Sequence, residues 1–544
     1  MPAVQRTAAL VGGGQTRAHL PIVIDAIIDA TSGMGYPDRV IHAKFARGAV
    51  RAVPGPTDRV VVVGAGLGGL ACALHLAGAG RHVTVLERET GPGGRAGRLA
   101  LDGYEFDTGP TVLTMPELID EALGAVGERR ADWLTLSTVD PAYRAWYPDG
   151  SSLDVIADPD RMADEVARVC GPREADGYRR FVGYARRLWQ LERDDFIDHN
   201  FDSPLDLLTG NLVRLAALGA FGRLQPRIDR FFGDPRTRRV FSFQAMYAGL
   251  APHRALAIYA VIAYLDSVAG VYYPRGGINA VPRALAAAAE KHGVRLRYGT
   301  TVSRVEVRAG RAVAVHTEDG DRIPADAVVL NPDRPVAYGL LPGGAPRRRL
   351  RYSPSCVVVH IGSTERYGRT AHHNIHFGRS WRRTFDEVIR RGEPMSDPSV
   401  LVTNPSRTDP GVAPAGREAY YVLAPVPNLV AGPFDWRGGL ADRYADELVE
   451  VLERRGYTGF GAGIELRRVV TPADWAAAGM AAGTPFAAAH TLSQTGPFRP
   501  GNLHPGLSNV VFVGSGTQPG VGVPMVLISG KLAAARITGA AREP

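Results

Sequence analysis

Short apolar runs and glycine-rich turns alternate from residue 59 onward, and the alternation predicts strands and helices in a definite order. Val60-Val61-Val62-Val63 is an uninterrupted β-branched run, the pattern of a strand buried in a parallel sheet. A breaker-free apolar helix over 70–77 follows, Gly80 ends it, and a second strand covers 83–86 with Glu87 at its tip. Further strands are predicted over 101–106, 294–298, 302–307, as a pair within 321–330, and over 509–513. Helices are predicted over 278–290 and 525–537. Between 111 and about 270 the spacing is mainly helical, over 116–125, 160–169, 174–192 and 204–222, with Asp158-Pro159 and Ser203-Pro204 as helix starts. The first 57 residues follow none of this and read as a poorly ordered extension, closed by Pro54-Gly55-Pro56.

The first strand, turn, helix and second strand enclose Gly64-Ala65-Gly66-Leu67-Gly68-Gly69. Gly64 permits a tight turn, Gly66 lets backbone approach a pyrophosphate, and Gly69 allows close helix–strand packing. The unpaired N–H groups of the helix start then face the phosphate charge. Glu87 stands 21 residues beyond Gly66, where a carboxylate accepts ribose hydroxyls and disfavours a 2′-phosphate. That unit specifies a dinucleotide without choosing between FAD and NAD. A second loop, Gly91-Pro92-Gly93-Gly94-Arg95-Ala96-Gly97-Arg98, comes straight after Glu87 and Arg88 and adds guanidinium groups suited to a diphosphate. Near the C-terminus the strand over 509–513 leads into Gly514-Ser515-Gly516-Thr517-Gln518-Pro519-Gly520-Val521-Gly522-Val523-Pro524 and a helix. Glycines 514 and 516 again allow close backbone approach, and the helix start near Val523 can direct partial positive charge at a ring system.

Composition narrows the class. With 544 residues, 45% hydrophobic and 22% charged, the chain suits two or three globular domains. All but three of its 63 basic residues are arginines, lysine occurring only at 44, 291 and 531, and the net charge is +8. Those arginines are dispersed among acids, which argues against nucleic acid and leaves a mildly basic surface able to sit on an anionic membrane. Cys72, Cys170 and Cys356 are far apart and fit a reducing compartment. No run reaches the length of a membrane-spanning helix. His372, His373 and His376 lack an acidic ligand at a useful spacing, so no metal is expected.

The loop after Glu87, the strand ending in Asp107-Thr108-Gly109-Pro110, the segment Tyr272-Tyr273-Pro274-Arg275-Gly276-Gly277 and the C-terminal block together resemble the flavin-dependent amine-oxidase superfamily. Within it, they resemble the bacterial phytoene desaturases and related carotenoid desaturases, from Val60 to about Gly539. The resemblance implies FAD and an α/β architecture: a discontinuous Rossmann-like FAD domain (58–110, 270–335, 485–540) with an interleaved α+β substrate domain (111–269, 336–484). It implies cofactor contacts at Gly64, Gly66, Gly69, Glu87, Arg88, Gly94, Arg95, Gly109, Pro110, Val302, Gly514, Gly516, Gly522, Val523 and Pro524, with Val302 beside the adenine. Phe243, Tyr247, Tyr259, Tyr273 and Gln518 are expected to line a tunnel for a long polyene. Gln518 stands where many relatives carry histidine, and it cannot titrate. Asp206 matches an acid proposed in the family as catalytic, although Thr209 replaces the arginine expected after it.

The implied reaction is stepwise desaturation of 15-cis-phytoene to neurosporene or lycopene at the inner face of the cell membrane, with quinone or oxygen as electron acceptor. A desaturase or oxidase acting on another carotenoid, or a non-catalytic prenyl-lipid carrier, are the alternatives.

Overall fold

A computed structural model describes residues 50–344 and 348–539. Its organising element is a five-stranded, all-parallel sheet. In spatial order the strands are Val510–Phe512, Ala327–Leu330, Arg59–Val63, His82–Leu86 and Arg295–Arg297. The β-branched run is therefore central, with Val61 beside both Val328 and Thr84, and residues Val60 to Val63 are buried. Strands this far apart in sequence come together because parallel neighbours need long crossover connections.

Helix Leu67–Gly78 leaves the first strand and packs along the C-terminal helix Val523–Thr538. Glycine makes the approach possible. A Cβ on Gly530 would lie 2.6 Å from the Gly68 carbonyl oxygen, and one on Gly68 would lie 3.2 Å from the Gly514 Cα. The three-stranded antiparallel sheet Val302–Arg308, Arg311–Thr317 and Arg322–Pro324 packs on the opposite face.

A seven-stranded mixed sheet forms the second half. Its order is Ile464–Val470, Ser355–Ser363, Glu418–Val426, Val400–Thr403, His373–His376, Tyr143–Trp146, Ser152–Val155. Every residue of Ser355–Ser363 is buried. Helices Pro159–Cys170, Pro172–Glu192 and Ala260–Ser267 add a layer built round Tyr178, Phe181, Phe232 and Phe241.

Two elements differ from the sequence expectation. The strand over 101–106 is a hairpin, Arg98–Leu101 with Tyr104–Asp107, turned at Asp102 and Gly103 with φ of 46° and 82°. Asp-Gly is the dipeptide such a turn selects. The helix over 204–222 is broken: a short turn Pro204–Leu207 is followed by helix Gly210–Ala217, capped by the Thr209 hydroxyl accepting from the Leu212 N–H at 3.3 Å. The extension lies outside the described residues up to 49. Val53 is buried, and its N–H donates to the Arg536 carbonyl at 2.7 Å, so residues 50–57 run against the C-terminal helix.

Candidate active site

A single cavity of about 1410 Å³ extends from the glycine loops into the helical layer. Pockets for a single drug-sized ligand are about 300–1,000 Å³, so this space accommodates a dinucleotide together with a second molecule. Gly64, Gly66, Glu87, Arg88, Gly94, Arg95, Gly109, Pro110, Val302, Gly514, Gly516, Gly522, Val523 and Pro524 all line it.

At one end the wall is mostly backbone. Helix Leu67–Gly78 begins at Gly66 with no side-chain cap, which leaves its first N–H groups free to meet an anion. Buried Glu87 accepts the Ala65 N–H at 2.6 Å and the Glu89 N–H at 3.0 Å, anchoring the turn while its carboxylate borders the cavity. Asn331 stitches the first and last loops together. Its Nδ2 donates to the Gly64 carbonyl at 3.2 Å, and a Cβ on Gly514 would sit 2.8 Å from its Oδ1. Arg95 bridges to the Ser515 hydroxyl and to the Asp333 carboxylate, the latter at 3.2 Å. Asp333 also accepts the Ala481 N–H at 2.9 Å.

The C-terminal helix starts at Gly522, again without a side-chain cap, on the same cavity. Behind its loop lies Arg499, 1% exposed and held by carbonyls alone: Thr517 at 2.9 Å, Ser515 at 2.7 Å and Ala488 at 3.1 Å. Burial lowers its pKa to about 10. These are the features a flavin dinucleotide requires: two uncapped helix starts, a buried acid for ribose and a guanidinium at the loop between them.

Beyond the loops the wall becomes apolar side chain, with Phe196, Leu207, Leu212, Phe221, Ile258, Ile262 and Leu265. Tyr247 and Tyr259 also line it, and the Tyr259 hydroxyl donates to the His490 carbonyl at 2.8 Å. Two acids interrupt this surface. Glu192 and Asp266 are 4% and 3% exposed, each with a carboxyl oxygen that has no hydrogen-bond partner. Burial raises both pKa values well above the carboxylate range, so each is a neutral acid.

Five of the residues singled out from sequence are not on the cavity wall. Gly69 serves the packing, since a Cβ there would meet the Gly64 carbonyl at 2.2 Å. Phe243 is buried among Tyr143, Tyr247 and Phe377. Tyr273 lines a small separate pocket with Asp107, Thr111 and His372. Gln518 is buried and donates to the Gly496 carbonyl at 3.2 Å. Asp206 caps the turn Pro204–Leu207, accepting the N–H groups of Asp202 at 2.8 Å and Ser203 at 2.9 Å.

Sequence reasoning did not find Asn331, Asp333, Glu192, Asp266, His490 or Arg499 as site residues. For Asn331 and Asp333 a signal existed, because they follow a strand of the parallel sheet at its carboxyl end, where such sheets bind ligands. The other four carry no local signature.

Comparison with known proteins agrees with this geometry. The family model described as flavin containing amine oxidoreductase matches residues 67–538. A phytoene dehydrogenase of Streptomyces griseus is 58% identical over 491 residues, covering 90% of this chain and 96% of that protein. A zeta-carotene-forming phytoene desaturase of Myxococcus xanthus is 38% identical, covering 88% and 93%. Among solved structures, cyclohexylamine oxidase from Brevibacterium oxydans superposes with a TM-score of 0.55 at 15% identity, covering 89% and 99%, a likeness of fold.

Proposed function

The chain belongs to the flavin-containing amine oxidoreductase family, and we propose that it desaturates 15-cis-phytoene in successive steps to neurosporene or lycopene. It is an FAD-dependent oxidoreductase acting on CH–CH groups. The observation that carries the substrate reading is the continuity of the cavity, from a dinucleotide cradle into a chamber walled by Phe196, Leu207, Leu212, Phe221, Ile258 and Ile262. The 58% identity over nearly the whole chain to a protein named phytoene dehydrogenase supports phytoene, whereas relatives at 31–33% identity include both lycopene-forming phytoene desaturases and a 4,4'-diapolycopene oxygenase of a Methylomonas species.

In this reading Gly64, Gly66 and the helix start at Leu67 hold the diphosphate, with Arg95 alongside, and Glu87 holds the ribose. FAD supplies the hydride-accepting chemistry when bound. The uncapped helix start at Val523 would favour negative charge on a ring system bound there. The apolar wall orients the polyene and excludes water, and orientation is the main contribution such a wall can make. Desaturation generates allylic cation character, which neutral walls tolerate, and proton loss from such a cation needs only a weak acceptor.

The mouth suits a lipid-dissolved substrate. Tyr247 and Leu492 line the cavity yet are 41% and 50% exposed, and Leu205 and Val213 are exposed on neighbouring elements. Among the described residues no helix is long and apolar enough to cross a membrane. Resting on the inner face of the cell membrane would let this patch and nearby Arg214 and Arg223 meet lipid, with quinone or oxygen taking the electrons. The test is product analysis in cells that accumulate phytoene. New visible absorption from longer conjugation is expected when the gene is present. Unchanged phytoene, with folded and FAD-loaded protein, would overturn the substrate assignment.

A further inference from the structure

We propose that the imidazole of His490 is the proton acceptor of the desaturation. This rests on the desaturase reading above and adds the base that it leaves open. His490 lines the cavity where the glycine loops give way to the apolar chamber. Its ring occupies the space a side chain on Gly520 would need: a Cβ there would lie 2.3 Å from Cε1 and 2.6 Å from Nε2. Gly520 belongs to the C-terminal loop, between Gly516 and Gly522, so the imidazole abuts the element that faces the flavin ring.

The backbone on either side of the ring is fixed. The His490 N–H donates to the Ala248 carbonyl at 2.9 Å, and its own carbonyl accepts the Tyr259 hydroxyl at 2.8 Å. The Tyr259 ring stands edge-on to the imidazole at 6.2 Å between centroids.

The other groups on the wall are unsuited. Glu192 and Asp266 are neutral acids whose acceptor capacity for a proton is already filled. Asp333 is paired with Arg95 and Glu87 is engaged by two backbone N–H groups. Burial and the neighbouring Arg499 charge hold the His490 imidazole well below its usual pKa, so it rests unprotonated with a free lone pair.

In the step itself, one C–H bond of the saturated pair breaks and its electrons leave as hydride to the flavin oxidant. The C–H bond on the adjacent carbon then breaks heterolytically. Its electron pair becomes the new π bond, and the proton passes to the unprotonated imidazole nitrogen, which later returns it to water. A weak base suffices because a proton beside an allylic cation is strongly acidic.

The test compares wild type, His490→Ala and His490→Gln as FAD-loaded proteins on phytoene in liposomes. Both variants are expected to desaturate about 100-fold more slowly or worse, with unchanged flavin content. Added imidazole should restore His490→Ala in a concentration-dependent way. Independently of turnover, diethylpyrocarbonate should modify His490 in wild-type holoprotein, and bound lycopene should protect it, read by peptide mass spectrometry. Wild-type rates in the variants, a loss that imidazole does not relieve, or modification indifferent to lycopene would each overturn the assignment. If wild type itself leaves phytoene unchanged, the desaturase reading fails instead, so the two failures are distinguishable.

Discussion

On the dinucleotide side of the cavity the wall is backbone, and on the polyene side it is side chain. Gly64, Gly66 and Gly514 bring main chain to the cavity surface, and two helices open on it without caps. Across the same space, Phe221, Tyr259, Ile262 and the neutral Glu192 present their side chains. A backbone wall recognises charge and shape common to every FAD, so it tolerates almost no change in the few residues that let the chain approach. A side-chain wall can be re-cut for another polyene at small cost. That asymmetry explains how one cradle supports relatives of differing chemistry.

The sharpest break should come from Gly69→Ala. Its methyl would sit 2.2 Å from the Gly64 carbonyl, and neither backbone can yield without moving the loop. If carried into the loop that meets FAD, overpacking of about 1–3 kcal/mol corresponds to about 5–150-fold weaker FAD binding, measurable as flavin content of the folded protein. A variant retaining full flavin would show that the loop does not depend on that contact.

The second prediction concerns buried histidines in and beside the seven-stranded sheet. Burial lowers His372 to about 3 and His360 to about 4, below the unfolded value near 6.5. Such a group's stabilising effect is complete above pH 6.5 and is lost as pH falls towards the folded pKa, because the unfolded chain binds the proton first. Replacing His372 with Gln should therefore flatten the fall in unfolding free energy between pH 6 and 4. The expected change in slope is about 1.4 kcal/mol per pH unit, read from urea unfolding at several pH values. An unchanged slope would contradict a neutral His372.

The smallest effect belongs to Asp206→Ala. The carboxylate caps a turn, so the loss should be about 1 kcal/mol of stability, with the desaturation rate nearly unchanged. A rate loss far beyond that would restore Asp206 to the chemistry.

The cradle was legible because each of its parts is local. A β-branched run, three glycines and an acid at fixed spacing leave a continuous trace in the chain. The Asp102-Gly103 hairpin turn was equally local and its signal was passed over. In contrast, Glu192, Asp266 and His490 come from three separated segments, and nothing beside any of them marks it as facing a cavity. The helix expected over 204–222 failed for another reason. Apolar content suggested continuity, while Thr209 could cap a fresh helix and did.

The sequence by itself determined the strand–turn–helix unit, the position of Glu87, the C-terminal loop and the α/β class, since backbone geometry depends on which residues permit it. Only the tertiary structure decided that Asn331 joins the two glycine loops and that His490 meets Gly520 beside the polyene chamber. Those contacts arise from chain crossovers spanning tens to hundreds of residues, and proximity of that kind is created only when the parallel sheet closes and the helical layer packs over it.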